Sequence, residues 1–475
     1  MVFSSPVFLF LFLPLTLLAV WLFGRRGQNT VLLLASLLFY AWGEGAYVLL
    51  MLATVLVNHL CGLAIHRRVR PRLWVGVAVA LNLATLIAFK YANFLVDSLN
   101  AVTASFGLAP VELAPVHLPI GISFFIFQGM SYAIDVYRGT AEVQQRPGPL
   151  ALYISLYPQL IAGPIVRYQD VARQIADRTT DLAGFASGVR RFIVGLAKKV
   201  LIADHCARIA DGIFAVPADE LPMATAWLGV VAYAFQIYFD FSGYSDMAIG
   251  LGRMLGFEFL ENFDRPYIAR SVREFWRRWH ISLSTWFRDY LYIPLGGSRL
   301  SAGRTYLNLF IVFLLTGLWH GASWNFVVWG LVHGLFLVIE RAGLGRLLDR
   351  APRLVGHLYT LVVVLMAWVF FRITDLTEAW HTILAMVGAN PGDAALNPPA
   401  LFVTHSTLVA LAIGVLGALN VHALVGRWTG LRRTEPHLPG GVRGALEVAG
   451  LLLLFVGVAM AVASTTYSPF IYFRF

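Results

Sequence analysis

Charge is what this sequence has least of. Only 13% of its 475 residues are Asp, Glu, Lys or Arg, about half the share of an average soluble protein. With 58% of residues apolar, an ordinary soluble globular domain is excluded. Cysteine is nearly absent as well. Cys61 and Cys206 form no CxxC pair, so neither a disulfide framework nor a zinc site is indicated, and both read as buried structural thiols. No G-x-S-x-G occurs, which argues against an α/β-hydrolase serine. No repeat of fixed period and no long linker divides the chain, so residues 1–475 read as a single membrane domain. The first residues lack a basic n-region and a small-x-small cleavage site. They are expected to be a spanning helix and not a signal peptide.

What is present is a series of apolar runs joined by short loops. A helix crossing a bilayer needs roughly 20 apolar residues. Runs at 6–23, 29–42, 46–65, 73–95 and 117–137 approach or meet that length. Arg25 and Arg26 follow the first, Arg67, Arg68, Arg70 and Arg72 the third, and Arg138 the fifth. Gly43 to Gly45 and Asn100 to Val116 hold no Lys or Arg. The positive-inside rule then puts the basic loops in the cytoplasm and the N-terminus outside. The same rule accounts for the net charge of +10, and a nucleic-acid partner is rejected.

The run from Leu150 to Val166 has arginine on both sides and contains Pro158, Gly163 and Pro164. It predicts a re-entrant or interfacial segment, tolerated at depth only inside protein or a wet cavity. Residues 189–214 mix five basic side chains with apolar ones, as a surface amphipathic helix does. After an apolar run at 223–242, Ser242-Gly243-Tyr244-Ser245-Asp246 is expected to interrupt the helix. Later runs lie at 354–371, 401–424 and 446–463, with Arg427 to Arg443 assigned to the cytoplasm. The fold class is all-α: a polytopic membrane protein of about 10–12 spans with re-entrant and interfacial helices, by length and run counting.

The stretch from Leu307 to Ile339 organises the rest. It is apolar almost throughout, has arginines beyond both ends, and carries Trp319-His320-Gly321-Ala322 near its middle. It is longer than one span and short for two. One reading is a hairpin whose turn lies inside the membrane with His320 at depth, where an ionisable side chain is by default a functional hypothesis. The other is one long tilted helix whose histidine hydrogen-bonds a neighbour. A neutral imidazole is a suitable general base.

From Glu261 to Arg304 the chain turns basic and aromatic. The lack of Pro and Gly between Ile268 and Tyr292 predicts one helix, with His280, Ser284 and Phe287 on one face. Arg277, Arg278 and Arg288 suit donor phosphates through their bidentate forks. Arg-Arg beside Trp276 and Trp279 equally suits an interface anchor. Asp240 and Asp246 sit beside apolar helix and must face protein or water. They read either as buried ion pairs or, for one of them, as the group that orients a histidine.

Several motifs together carry a resemblance. They are MVFSSPVFLFLFLP (1–14), FKYANF (89–94), LPIGISFFIFQGMSYAIDVYRG (118–139), LIAGPIVRY (160–168) and FQIYFDFSGYSDMAIGLG (235–252). Four more follow: ENFDRPY (261–267), EFWRRWHISLSTWFRDYLYIPLGG (274–297), LWHGASWNFVVWG (318–330) and YSPFIYFRF (467–475). The sequence resembles the membrane-bound O-acyltransferase family, in its bacterial branch acting on cell-envelope polymers. The resemblance implies an O-acyltransferase with a central tunnel crossing the inner membrane. It implies that His320 and His280 are the catalytic histidines, with Trp319, Trp279, Asp240 and Asp246 in support. It also implies an acyl donor at the cytoplasmic face, acetyl-CoA or a carrier with phosphopantetheine, and no tightly bound cofactor or metal. Partners would be periplasmic acetyltransferase proteins and membrane lipid, with an exported polysaccharide as acceptor. A transporter without chemistry is the competing class, although no inverted repeat is visible.

Overall fold

Helix follows hydropathy along almost the whole chain. The protein is described from a computed structural model covering residues 1–390, 392–419, 441–464 and 470–471. Among them there is no strand. Six helical stretches are long and apolar enough to cross a membrane: Phe8–His66, Pro71–Ala104, Ala302–His320, Trp324–Arg350, Arg353–Arg372 and Gly444–Ser464. The first holds three of the expected runs. Where loops were expected, α1 (Leu13–Glu44) bends at Gly24, φ 54°, and is followed through Gly45, φ 55°, by α2 (Val48–His66). Glycine supplies the positive φ at both bends. α3 (Pro71–Leu86) continues through one π turn into α4 (Ala92–Ala104).

The chain forms two compact units, described separately. One comprises residues 1–188 and 248–260. At its centre stands α5 (Ile122–Arg138), buried over most of its surface. Gly129 of α5 sits where a Cβ would come 2.5 Å from the Asn58 amide nitrogen. Asn58 of α2 and Asn82 of α3 exchange two hydrogen bonds, at 3.2 and 3.0 Å. Their polar groups are thus satisfied away from water, as burial demands. The expected interruption after Leu150 is present. α6 (Pro147–Ser155) and α7 (Tyr157–Leu160) break at Leu156, and the Tyr157 N–H donates to Ser36 Oγ. α8 (Tyr168–Ala176) completes the unit.

The other unit comprises residues 189–247 and 261–475. The basic segment 189–214 is helical, in α9 (Leu182–Ala197), a π turn and α10 (Asp204–Ile213). Its charges do not all face outward. Arg191 and Lys198 pair with Asp246 at 2.8 and 2.5 Å, and Lys199 with Asp240 at 2.9 Å. The predicted interruption at 242–246 is absent, for α11 (Met223–Met254) runs straight through it. Gly243 serves close packing instead. A Cβ there would meet the Gly195 carbonyl at 2.7 Å, and one on Gly195 would meet the Gly243 carbonyl at 2.6 Å.

The helix expected over 268–292 is broken. α12 (Val272–Arg278) and α13 (Ile281–Phe287) are separated by Trp279 and His280, and a π turn (Arg288–Tyr292) follows. Helix-forming residues yield here because the segment 262–264 supplies other partners for the freed backbone. Asp264 N–H donates to the Arg278 carbonyl and Ile281 N–H to the Asn262 carbonyl, at 2.9 and 3.0 Å. Residues 307–339 form a hairpin and not one continuous helix. α14 (Ala302–His320) and α15 (Trp324–Ile339) are separate helices packed along each other. Both arms extend beyond the stretch first delimited, so each is long enough for a span. After them come α16 (Gly345–Arg350), α17 (Arg353–Arg372), α18 (Leu376–Met386), α19 (His405–Ala418) and α20 (Gly441–Ser464). Arg427, Arg432 and Arg433 lie outside the described residues, as does the 467–475 motif apart from Phe470 and Ile471.

Candidate active site

The hairpin turn is made tight by glycine. A Cβ on Gly317 would lie 2.3 Å from the Phe326 carbonyl, and one on Gly330 would lie 2.3 Å from that of Phe313. The two backbones therefore touch just before the turn. Gly321, which follows His320, has room for no side chain because the Phe326 ring lies against it. α14 consequently ends with His320 turned into the protein, 3% exposed. Aromatic rings enclose the imidazole: Trp329 at 4.9 Å, Trp319 at 5.0 Å and Phe371 at 5.2 Å between centroids.

His280 reaches the same place from the break between α12 and α13. Its ring centroid is 6.3 Å from that of His320 and 5.8 Å from that of Trp319. Phe241 of α11 stands edge-on to it at 4.7 Å. The residue has φ 44°, a left-handed conformation, which costs a non-glycine residue roughly 1–2 kcal/mol. Backbone strain of this kind clusters at functional sites.

Asn262 fixes the ring. Its Oδ1 accepts from the Ser282 N–H at 3.2 Å and from Ser282 Oγ at 2.8 Å, and it lies 3.2 Å from His280 Nδ1. An oxygen already accepting from a backbone N–H can only accept from the imidazole too. Nδ1 therefore carries the proton and Nε2 the lone pair. His280 lies outside the candidate spans, and burial without a nearby charge pushes its pKa down to about 3. The imidazole is neutral at physiological pH.

A third histidine stands behind the pair. His333 of α15 is fully buried, with Trp329 edge-on between it and His320. Its Nδ1 accepts from the Trp276 indole N–H at 3.3 Å. A further aromatic layer contains Trp279, 5.0 Å from Trp368 and 5.6 Å from Phe275.

The remaining expected site residues are elsewhere. Arg277 is exposed. Arg278 is engaged by Glu274 and Asp264 at 2.9 and 3.1 Å, and Arg288 by its neighbour Asp289 at 2.7 Å. Asp240 and Asp246 are held by the basic residues of α9 and of the π turn after it, and Asn262 holds the histidine. Asn262 and Ser282 lie within recognised motifs, yet the sequence offers no signal that singles them out, because their role depends on the break at His280. No cluster of metal-ligating side chains is found among the described residues.

Residues 82–377 match the membrane-bound O-acyltransferase family. Relatives along the full length agree. The chain is 43% identical to a probable alginate O-acetylase of Azotobacter vinelandii and 46% identical to one of Pseudomonas putida, each comparison covering 100% of both chains. The chain belongs to the membrane-bound O-acyltransferase family. This acyltransferase is also 36% identical to a peptidoglycan O-acetyltransferase of Helicobacter pylori, over 82% of this chain and 80% of that one. The matched region spans both histidines, Asn262 and the hairpin. The protein is thus a membrane O-acyltransferase with two ring-enclosed imidazoles, His280 and His320, brought together at a helix turn.

Proposed function

We propose that this acyltransferase passes an acetyl group from a cytoplasmic thioester donor across the inner membrane for O-acetylation of an exopolysaccharide such as alginate. The observation that carries the reading is the juxtaposition of His280 and His320, 6.3 Å apart, in a chain whose full-length relatives include probable alginate O-acetylases. In the proposed step His320 takes the proton of the attacking hydroxyl. The hydroxyl oxygen bonds to the acyl carbon, the C–S bond breaks, and the thiolate takes up the proton as free thiol. A hydroxyl attacking a thioester needs such an acceptor within hydrogen-bond reach. His280, its tautomer set by Asn262, assists proton transfer or positions the donor through Nε2. Exclusion of water by the rings also favours transfer over hydrolysis.

The donor is acetyl-CoA or a carrier with a phosphopantetheine arm. Arg277 is the arginine best suited to its phosphates, because Arg278 and Arg288 already have carboxylate partners. Periplasmic acetyltransferase proteins take the group on to the polymer, and the N-terminus is periplasmic. Peptidoglycan is the second acceptor to consider, favoured by the Helicobacter pylori relative. The experiment is complementation of a strain lacking its own copy with His320→Ala, after membrane expression is confirmed. Polymer acetyl content should fall to background. Acetylation at the wild-type level overturns the assignment.

A further inference from the structure

Asp240 is almost completely buried and takes no part in the step just described. One of its oxygens pairs with Lys199, which also pairs with Asp204 at 2.6 Å. Its other oxygen accepts from the backbone N–H of Ile471 at 2.7 Å, a residue 231 positions along the chain. A carboxylate this deeply buried is costly unless both its oxygens are paired, so the donor from residue 471 offsets part of that cost. The bond also has a geometric consequence. Phe470 is buried beside it, its ring centroid 4.6 Å from that of Tyr244 and 6.2 Å from that of Phe241. Phe241 is the ring that stands edge-on to His280. A continuous path thus leads from the buried carboxylate through Ile471 and Phe470 to the wall of the histidine chamber.

We infer that Asp240 is a positioning residue for the His280 pocket: by holding the Ile471 N–H it seats Phe470 against Tyr244 and Phe241 and keeps the wall beside His280 closed. The inference rests on the reading of that chamber as the transfer site. A charge is used because a carboxylate binds an N–H about twice as strongly as a neutral acceptor. Burial between rings then fixes the direction of that bond.

The test uses the full chain purified in detergent, with carbethoxylation of His280 by diethyl pyrocarbonate located by mass spectrometry. Phe470→Ala removes the ring. Ile471→Pro removes the N–H together with the isoleucine side chain, and leaves the Phe470 ring in the chain. Asp240→Ala removes the acceptor, whereas Asp240→Asn retains one. The rate of His280 modification is expected to rise about fivefold or more in the first three and to stay within about twofold of wild type in Asp240→Asn. With acetyl-CoA as probe, the same three should lower kcat while leaving KM unchanged. If Asp240→Ala fails to fold, the other two variants decide. Wild-type modification rates in folded Phe470→Ala or Ile471→Pro overturn the proposal. Acetyl transfer surviving His320→Ala would instead overturn the transfer-site reading and leave the carbethoxylation result standing.

Discussion

The side-chain oxygen of Asn262 lies 3.2 Å from Nδ1 of His280, and it sets both the tautomer and the direction of that ring. The same oxygen is anchored by the Ser282 backbone. Asn262→Ala should therefore leave the imidazole free to rotate without removing it. Misplacement of a reacting group by about 1 Å costs on the order of 100-fold in rate. Polymer acetylation by Asn262→Ala is expected to drop about 10- to 100-fold at normal membrane abundance. Ser282→Ala keeps the Ser282 N–H on Asn262 and should cost much less. Quantifying acetyl groups in the exported polymer decides both.

Gly317 and Gly330 bring α14 and α15 into backbone contact beside the turn. Alanine at either position places a Cβ 2.3 Å from a carbonyl oxygen, and a carbonyl fixed in a helix cannot swing aside. Overpacking of this kind costs about 1–3 kcal/mol, occasionally more. Gly330→Ala should lower the thermal unfolding midpoint of the detergent-solubilised protein. Gly76→Ala is the control. Nothing lies within 4 Å of a Cβ at that helical site, so alanine there should raise the midpoint slightly through its helix propensity.

Much of this was legible in the sequence, and the reasons differ by element. The hairpin at 307–339 could be read because its apolar length exceeded one span and its basic flanks fell at both ends. The break at Leu156 was announced by Pro158 and Pro164. The break at His280 was not, since no proline or glycine marks it. It exists because residues 262–264 pair with the exposed backbone, a long-range cause that local propensity does not record. Gly243 misled in the opposite direction. A small polar cluster read as a helix interruption is a site of helix contact with Gly195, and only the partner's position distinguishes the two. His320 was singled out by its apolar context, whereas Asn262 became recognisable only once its oxygen was seen on the imidazole.

Asp246 and Glu261 share Arg191 but should differ sharply when removed. Asp246 is largely buried and holds both Arg191 and Lys198. Asp246→Ala strands Lys198 and leaves Arg191 only its exposed partner Glu261, and breaking a buried pair in this way costs about 3–5 kcal/mol. The Glu261 side chain is 55% exposed, so its pair is screened and is worth about 0–1 kcal/mol. Thermal unfolding of the two alanine variants in one buffer checks the contrast. Equal shifts would mean that burial does not govern this network.

The depressed pKa of His280 makes a prediction about acid. In the unfolded chain the imidazole titrates near 6.5, whereas in the folded protein burial pushes it down to about 3. Above pH 6.5 the residue is neutral in both states and contributes no pH dependence. As pH falls below 6.5 the unfolded chain binds a proton that the folded chain excludes, and stability declines until about pH 3. His280→Asn, which keeps a polar group but cannot titrate, should flatten the fall in unfolding midpoint between pH 6.5 and 4 relative to wild type. Carboxylate contributions are common to both proteins, so the difference between the two curves isolates the histidine. Parallel curves would mean that the folded protein admits the proton, and that water or a charge reaches a ring the structure holds in an aromatic enclosure.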